Sequence, residues 1–523
     1  MKIKSILLIL SWLFSVGYSS ASPKPNILLI YADDLDADEL NVTMDRVETW
    51  ASSHGARRVV GTGRKAGVSK VLTPHIDSLA ADGMLFTRFY VNGTVCTSSR
   101  YCLLTGRHAT RGVDLQKDYP AGTHATLEWR PAIVREETNL AKELQGLGYR
   151  TGIIGKWHNM PDKVLPKRKK NTHQPNATYE TTKKFELDIR NYYEAGIAYL
   201  SEGFGWDVVD RMEWGNSIVN LDWQCEGALK FIEESQEEPF FLYCSLPVPH
   251  GQYYFSYNDV MSYDQRVTSA GISEEPIVVL PTAENVMLRT RASNVVDKNA
   301  MATRMDDYVG AVLSKIDSLG LSENTIVIFT SDHGSRGKNS VYEGGAKVPM
   351  MIKWPRRIQA GSENDDLIGN IDIAATLIDV AGGRAPADMT EDGHSFKSQL
   401  LGKAEPKDWR TDMLIEAGNS RAIVTRDWKY VANRVTPEIQ AKMTARPREV
   451  FWTGVDHHNY QTEQMYPAYW DADQLYDLNN DLYEQQNMSK ESEYQARLEQ
   501  MQKRLDEVVA GLPHTFGEFG NSK

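Results

Sequence analysis

The chain has few cysteines, no excess of positive charge and no long apolar run beyond its first residues. Its 523 residues include only four cysteines, at positions 96, 102, 225 and 244, which are too few for a disulfide framework in a chain of this length. The formal net charge of −12 argues against general binding to nucleic acid or anionic lipid. No later segment is apolar over the ~20 residues that a spanning helix needs. We therefore expect no nucleic-acid partner and no transmembrane anchor.

Residues 1–21 have the pattern of a secretory signal peptide. Lys2 and Lys4 precede the apolar run 6–16, and a stretch of small residues ends at Ala21. The apolar run is too short to span a bilayer, so a membrane anchor is the weaker interpretation. We expect cleavage after Ala21 and a periplasmic or secreted mature protein.

Short buried strands alternate with amphipathic helices along most of the chain. Apolar, β-rich runs occur at 25–31, 148–155, 240–243 and 325–330, and helical patterns occur at 138–147 and 301–319. The alternation predicts an α/β fold with a central, mainly parallel sheet flanked by helices. Ligands of such sheets bind beyond the carboxyl ends of the strands, which is where the residues of chemical interest lie.

The pattern changes near residue 400. Short strand patterns at 421–431 and 474–478 and a charged amphipathic helix at 491–509 follow a polar stretch. A chain of about 500 residues also exceeds the size at which one core stops growing. We expect a catalytic domain over 22–400 and a smaller α+β subdomain with a short antiparallel sheet over 401–523.

One segment matches a known catalytic signature. Cys96 is followed by Thr97-Ser98-Ser99-Arg100 and then by Leu103-Leu104-Thr105-Gly106. This segment resembles the signature of formylglycine-dependent, arylsulfatase-like sulfatases of the alkaline phosphatase superfamily, in which a Cys or Ser precedes Pro, a small residue and Arg, and later a Leu-Thr-Gly run. Ser98 stands where Pro is usual, which bears on how efficiently a formylglycine-generating enzyme converts Cys96.

The resemblance implies a sulfatase with an alkaline-phosphatase-like fold and with Cys96, converted to formylglycine, as the nucleophile. A hydrated aldehyde carries two hydroxyls on one carbon, so one can attack sulfur and deprotonation of the other can then expel sulfate. Arg100 would stabilise the formylglycine. With Cys96 used in catalysis, at most one internal disulfide forms, and Cys225 with Cys244 is a possible pair.

Acidic residues follow two of the predicted strands. Asp33-Asp34 follows the first strand, and Asp332-His333 follows a later one. Adjacent carboxylates at a strand end are costly unless a cation holds them, and oxygen ligands suit Ca²⁺ or Mg²⁺. The resemblance implies one divalent cation, Ca²⁺ before Mg²⁺, held by these four residues and by Cys96.

Basic residues complete the predicted site. Lys156 and His158 lie in a Gly-Lys-Trp-His element after a strand, and His250 and Lys338 lie in further elements that resemble the family. The resemblance implies that Lys156 holds a sulfate oxygen and that His158 is the base. His250 and Lys338 would flank the sulfate, and one of them would protonate the leaving alcohol. Cations that converge on a dianionic transition state are what sulfuryl transfer needs.

Two other functions remain open. A phosphonate monoester or phosphodiester hydrolase of the same superfamily can also use formylglycine. A non-catalytic sulfated-glycan-binding protein would result if Cys96 were not converted. Relative turnover of an aryl sulfate and an aryl phosphonate ester distinguishes the first, and sulfate release distinguishes the second.

An exported sulfatase is well placed to act on sulfated carbohydrate, such as fragments of algal polysaccharide or glycosaminoglycan. We expect loops around the pocket to set the selectivity. The candidates are the segment 57–70 with Arg57, Arg58 and Arg64, the basic segment 163–170, and the segment 452–460 with His457 and His458.

Overall fold

The computed structural model describes residues 24–43, 58–59, 64–65, 71–127, 129–167, 177–215, 218–250, 264–403, 406, 408–453 and 462–517. The predicted signal peptide at 1–21, Arg57, His457, His458 and residues 168–170 of the basic segment lie outside the described residues. Arg58 and Arg64 are described by their backbone alone. Among the helices within these ranges, none is long and apolar enough to cross a bilayer.

The strands form one large and several small sheets. In chain order they are β1 (Asn26–Asp33), β2 (Arg58–Val59), β3 (Arg64–Lys65), β4 (Met84–Phe86), β5 (Phe89–Tyr90), β6 (Arg150–Lys156), β7 (Val208–Glu213), β8 (Phe240–Pro249), β9 (Val267–Thr268), β10 (Gly271–Ile272), β11 (Thr325–Ser331), β12 (Met350–Lys353), β13 (Ser362–Asn364), β14 (Ile368–Gly369), β15 (Asp412–Ala417), β16 (Ser420–Thr425), β17 (Trp428–Asn433) and β18 (Asp473–Asp477).

The large sheet has eight strands in the order β13-β4-β12-β11-β1-β8-β6-β7. The neighbours β11, β1, β8, β6 and β7 all run parallel, whereas β12 pairs antiparallel with both β11 and β4. The predicted mainly parallel, mixed sheet is therefore confirmed. The four parallel strands β11, β1, β8 and β6 lie side by side, so their carboxyl ends meet at one edge of the sheet.

Helices cover both faces of this sheet, and three further α-helices lie after residue 400 among the described residues. They are α1 (Pro74–Ala81), α2 (Cys96–Thr105), α3 (Leu115–Asp118), α4 (Leu140–Gly146), α5 (Tyr179–Lys183), α6 (Glu186–Leu200), α7 (Leu221–Glu234), α8 (Ala283–Ala292), α9 (Ala300–Ser318), α10 (Glu343–Ala346), α11 (Ile371–Val380), α12 (Ala387–Thr390), α13 (Lys397–Leu400), α14 (Pro437–Ala445), α15 (Thr462–Met465) and α16 (Gln495–Ala510).

Strand β1 shows why the sequence reads as an unbroken apolar run at this point. Leu29 and Tyr31 point into the core beneath α2, α4 and α11, whereas Leu28 and Ile30 point into the core beneath α1, α7 and α9. All eight residues of β1 are buried. A strand that is covered on both faces has no polar alternation.

The small antiparallel sheet has the order β15-β16-β17-β18. One face packs on α16, and the other contributes to a separate cluster that includes Tyr342 and Tyr466. The strand pattern at 421–431 is in fact two strands, β16 and β17, and β15 was not predicted. This sheet lies wholly after residue 400, while the boundary between 22–400 and 401–523 stays a prediction.

Cys225 and Cys244 do not form the disulfide that the sequence left possible, because both residues are free thiols. Cys225 lies on α7 and Cys244 on β8, and both pack within the apolar core on one face of the sheet. Burial raises the pKa of the Cys225 thiol and raises that of Cys244 to about 12. Both cysteines therefore behave as small apolar side chains.

Candidate active site

The ends of four neighbouring parallel strands deliver most of the predicted site residues. Asp33 ends β1 and Asp34 follows it, Lys156 ends β6, His250 follows β8, and Asp332 follows β11. His158 and His333 lie one or two residues beyond the same ends. The structure thus brings the predicted residues together at the edge of the sheet where a doubly wound fold binds its ligands.

Cys96 lies at the centre of this group, as the first residue of α2. Its Sγ is 3.4 Å from Lys156 Nζ, 3.7 Å from Lys338 Nζ and 3.3 Å from His333 Nε2. It is also 3.5 Å from Asp33 Oδ1. Burial acts to raise the pKa of the Cys96 thiol, but the neighbouring cations outweigh it and lower that pKa to about 7.

Each carboxylate of the site lies beside a cation. Lys156 Nζ is 2.5 Å from Asp33 Oδ2, and Lys338 Nζ is 2.9 Å from Asp34 Oδ1. Arg100 Nη2 is 2.8 Å from Asp332 Oδ2. These side chains are almost fully buried, so each charge depends on its partner.

The donor set fits a divalent cation. One ligand atom each from Asp33, Cys96, Asp332 and His333 lie within 4.8 Å of one another, and the same holds for Asp33, Asp34, Cys96 and His250. Burial and then the charge of Asp33 raise the pKa of Asp332 to about 8. Carboxylate oxygens gathered in this way are the ligands that a hard cation prefers.

His333 is oriented to offer one ring nitrogen to this group. Its Nδ1 is 3.1 Å from the carbonyl oxygen of Gly334, so an Nδ1 proton can be donated there and Nε2 faces the cluster. Nε2 lies 3.3 Å from Asp34 Oδ1. Burial lowers the pKa of His333, but Asp332 and Asp34 outweigh it and raise that pKa to about 9.

The other two histidines are held neutral. Burial, aided by Lys156, lowers the pKa of His158 to about 3. Burial likewise lowers the pKa of His250 to about 3, although its Nε2 is 3.5 Å from Asp34 Oδ2. The buried Nδ1 of His158 has no hydrogen-bond partner among the described residues. A neutral imidazole with an unpaired nitrogen can accept a proton from a bound group.

The backbone is strained where it presents these side chains. Asp34 has φ 62° and His158 has φ 57°, a left-handed conformation that is unfavourable for residues other than glycine. Gly155 has φ 99°, and a Cβ there would lie 2.0 Å from the carbonyl oxygen of Ser245. Only glycine fits at this position, next to Lys156.

Arg100 ties α2 to the strand ends. Its guanidinium donates hydrogen bonds to Ser245 on β8 and to Asp332, and it lies 5.3 Å from the centre of the Tyr31 ring. Ser98, which stands where the family usually has Pro, donates from its hydroxyl to the carbonyl of Val95 at 3.2 Å. It therefore stabilises the start of α2.

Sequence reasoning missed several residues around the site. Asp36 accepts hydrogen bonds from the backbone and hydroxyl groups of Ser335, both at 2.7 Å, and from Arg336 Nε at 2.9 Å. It thereby fixes the loop that carries Lys338. The acidic run after β1 was a signal for Asp36, whereas nothing in the sequence pointed to Trp129, whose ring lies 5.9 Å from that of His158.

The structure describes few side chains of the three segments that were predicted to set selectivity. Lys163 and Lys167 are exposed and Trp452 is buried. The expectation that these segments set selectivity stays a prediction.

Comparisons with known proteins agree with this geometry. A family model described as Sulfatase matches residues 25–383. The ulvan-active sulfatase of Formosa agariphila is 25% identical over 492 residues, which cover 92% of this chain and 79% of that protein. The N-acetylgalactosamine-6-O-sulfatase of Bacteroides thetaiotaomicron is 27% identical over 557 residues and covers 90% of each chain.

A solved structure from work on glycosaminoglycan metabolism by Bacteroides thetaiotaomicron has a TM-score of 0.59. It is 22% identical, and the match covers 94% of this chain and 100% of that one. At this identity the likeness shows the fold.

Proposed function

This chain belongs to the sulfatase family and is a sulfuric ester hydrolase, and from that premise we propose that it releases inorganic sulfate from sulfated carbohydrate. The observation that carries the proposal is the convergence of Lys156, Lys338 and His333 within 3.7 Å of a single atom, Cys96 Sγ. Two ammonium groups, and an imidazole that can hold a metal cation, then surround the atom from which a sulfate ester would be attacked.

We propose that Cys96 acts after conversion to formylglycine. The hydrated aldehyde would supply one hydroxyl to attack sulfur and a second whose deprotonation expels sulfate. All residues of α2 are buried, Cys96 among them. A formylglycine-generating enzyme would therefore have to act on this segment before the chain folds.

We propose that Asp33, Asp34, Asp332 and His333 hold one divalent cation, Ca²⁺ before Mg²⁺. The cation would polarise a sulfate oxygen and lower the pKa of the attacking hydroxyl. The donor set is mostly carboxylate oxygen, which favours a hard cation.

The remaining residues have distinct roles in the proposal. Lys156 and Lys338 bind sulfate oxygens, because both ammonium groups already lie against the Cys96 sulfur. His158, which is neutral and has an unpaired Nδ1, accepts the proton from the formylglycine hydroxyl. His250 and Lys338 both lie beside Asp34, and one of them protonates the leaving alcohol. Arg100, on α2, pairs with Asp332 and so holds that carboxylate in position.

The substrate class rests on the relatives. One is named as active on ulvan and the other on an N-acetylgalactosamine 6-O-sulfate, and both are sulfated carbohydrates. The pattern of residues 1–21 supports action in the periplasm or outside the cell.

The test is mass spectrometry of the peptide that contains Cys96, after expression with a formylglycine-generating enzyme. The same preparation is assayed for sulfate release from an aryl sulfate and from a panel of sulfated oligosaccharides. We expect the aldehyde and release from at least one sugar. An unmodified thiol with no sulfate released would contradict the mechanism, and faster turnover of an aryl phosphonate ester would favour the phosphonate hydrolase.

A further inference from the structure

The machinery around Cys96 is almost entirely charged, and one aromatic side chain lies against it. Trp129 is half-buried. Lys338 Nζ is 5.8 Å from the centre of its ring, and the ring of His158 is 5.9 Å away with 37° between the two planes. The indole therefore borders two of the groups that flank the sulfate in the proposed function.

The chain on both sides of Trp129 is anchored. Leu127 exchanges two backbone hydrogen bonds with Gly418, which lies between β15 and β16, at 3.1 and 2.6 Å. Arg130 pairs with Asp114 at 2.6 Å and with Asp162 at 2.7 Å. An indole on a fixed segment loses little conformational freedom when a ligand binds.

A sulfated sugar presents two different surfaces to a binding site. The sulfate group is anionic and needs cations, whereas the C–H face of a pyranose ring is apolar and gains by packing on an aromatic ring. The ammonium and carboxylate groups around Cys96 supply the first surface only. Trp129 supplies the second, next to Lys338 and His158.

We propose that Trp129 is a specificity-determining residue that stacks on the ring of the sugar whose sulfate ester is cleaved. The proposal rests on the proposed function. Its stacking role implies that Trp129 contributes to the binding of the sugar and not to the binding of the sulfate group. The contrasting role is that of a positioning residue, in which the indole holds Lys338 through a cation–π contact. The two roles differ in what happens to a ligand that has no sugar ring.

The experiment compares Trp129→Ala and Trp129→Phe with wild type in preparations whose Cys96 conversion is equal by mass spectrometry. The readouts are KM and kcat for the best sulfated sugar and the inhibition constant of inorganic sulfate. We expect Trp129→Ala to raise KM about tenfold with a smaller change in kcat, and Trp129→Phe to retain most of the affinity. The inhibition constant of inorganic sulfate should stay within about twofold, because no sugar is involved.

The matched control is Trp428, a half-buried tryptophan on β17 with Arg497 at 5.5 Å from its ring. Trp428→Ala and Trp428→Phe should leave KM unchanged. An unchanged KM in Trp129→Ala would overturn the proposal. So would an inhibition constant for sulfate that weakens as much as KM rises, because Trp129 would then act through Lys338. If the wild type cleaves an aryl sulfate but no sulfated sugar, the proposed substrate class is wrong. The stacking role of Trp129 is then wrong as well, because it requires a sugar.

Discussion

The molecule contains two buried clusters of charge that differ in what they can do. The catalytic cluster consists of Asp33, Asp34, Asp332, Lys156 and Lys338 around Cys96. The interface cluster consists of Lys429 on β17, Glu343 at the start of α10, and Glu484. Lys429 Nζ is 2.8 Å from Glu343 Oε1 and 2.9 Å from Glu484 Oε1. Both clusters are almost completely shielded from solvent.

The charged groups of the interface cluster pair with one another. Glu484 also accepts a hydrogen bond from the backbone N–H of Glu343 at 2.6 Å, and Tyr90 donates to Glu343 at 3.1 Å. Among the described residues, both groups that could hold a metal ion lie in the catalytic cluster. Buried charge alone is therefore no sign of function. What marks the catalytic cluster is that a carboxylate, two ammonium groups and an imidazole converge on one sulfur atom, that of Cys96.

The largest expected difference between the clusters is in catalysis. Cys96→Ala should lower kcat/KM by about a thousandfold or more, because no nucleophile remains, while the melting temperature changes little. Sulfate release and thermal unfolding measure the two effects. The control is Cys102→Ala, on the same helix and also buried, which should retain activity. Equal activity of Cys96→Ala and wild type would remove Cys96 from the mechanism.

Removal of divalent cations should affect the catalytic cluster alone. A chelator should lower kcat by about a hundredfold or more, since the cation supplies several kcal/mol of transition-state stabilisation. Added Ca²⁺ should restore activity and raise the melting temperature. Lys429→Met protein should respond to the chelator as the wild type does. Full activity in a preparation shown by elemental analysis to contain no metal would contradict the proposed site.

Disruption of the interface cluster should instead reduce stability. Lys429→Met removes the nearest cation from two buried carboxylates and should lower the free energy of unfolding by about 3–5 kcal/mol, with kcat of the folded protein unchanged. Urea unfolding measures the first quantity. Lys442→Met is the control, because Lys442 pairs with Glu438 at the surface and such a pair contributes at most about 1 kcal/mol. Similar losses in both variants would show that the interface cluster has no special role.

The smallest expected effect is a pH dependence of stability. Burial raises the pKa of Glu484 from its ordinary value of 4.5 to about 7, although Lys429 opposes the shift. Between these values the folded state binds a proton that the unfolded state has lost. Stability from this group therefore falls as pH rises from about 4.5 to about 7, by at most about 1.4 kcal/mol per pH unit.

Glu484→Gln should make the slope shallower by the share of this one group, because Asp332, whose pKa is also raised, still contributes. Urea unfolding from pH 5 to pH 8 measures the slope against wild type. Glu438→Gln, at an exposed site, should leave the slope unchanged. A wild-type slope that persists in Glu484→Gln would assign the titration to another group.

Much of the site could be predicted from the sequence, for a physical reason. Cys96 to Gly106, the acidic pair Asp33-Asp34 at the end of β1, and Asp332-His333 after β11 are local patterns whose chemistry follows from a few adjacent residues. The strands themselves were predicted because both faces of the sheet are covered and their sequences are uniformly apolar. The short strands β4 and β12 were missed, since a strand of three or four residues has too little pattern.

Other features could not be predicted. Asp36 binds the loop at Ser335 and Arg336, about 300 positions away in the chain. Cys225 and Cys244 were only one possible pair among the three cysteines other than Cys96, and nothing local showed that both are separate core residues. Trp129 resembles any other tryptophan until the strand order places it next to His158.

The sequence by itself determined the candidate nucleophile, the acidic and basic residues of the site and the α/β class, because each is written in contiguous residues or in a repeating pattern. Only the tertiary structure decided which buried charges surround Cys96 and which join the two sheets. Partners such as Lys338 and Cys96 are 242 positions apart, and their contact depends on the order in which β11, β1, β8 and β6 lie in the sheet. That order is a property of the packed chain as a whole.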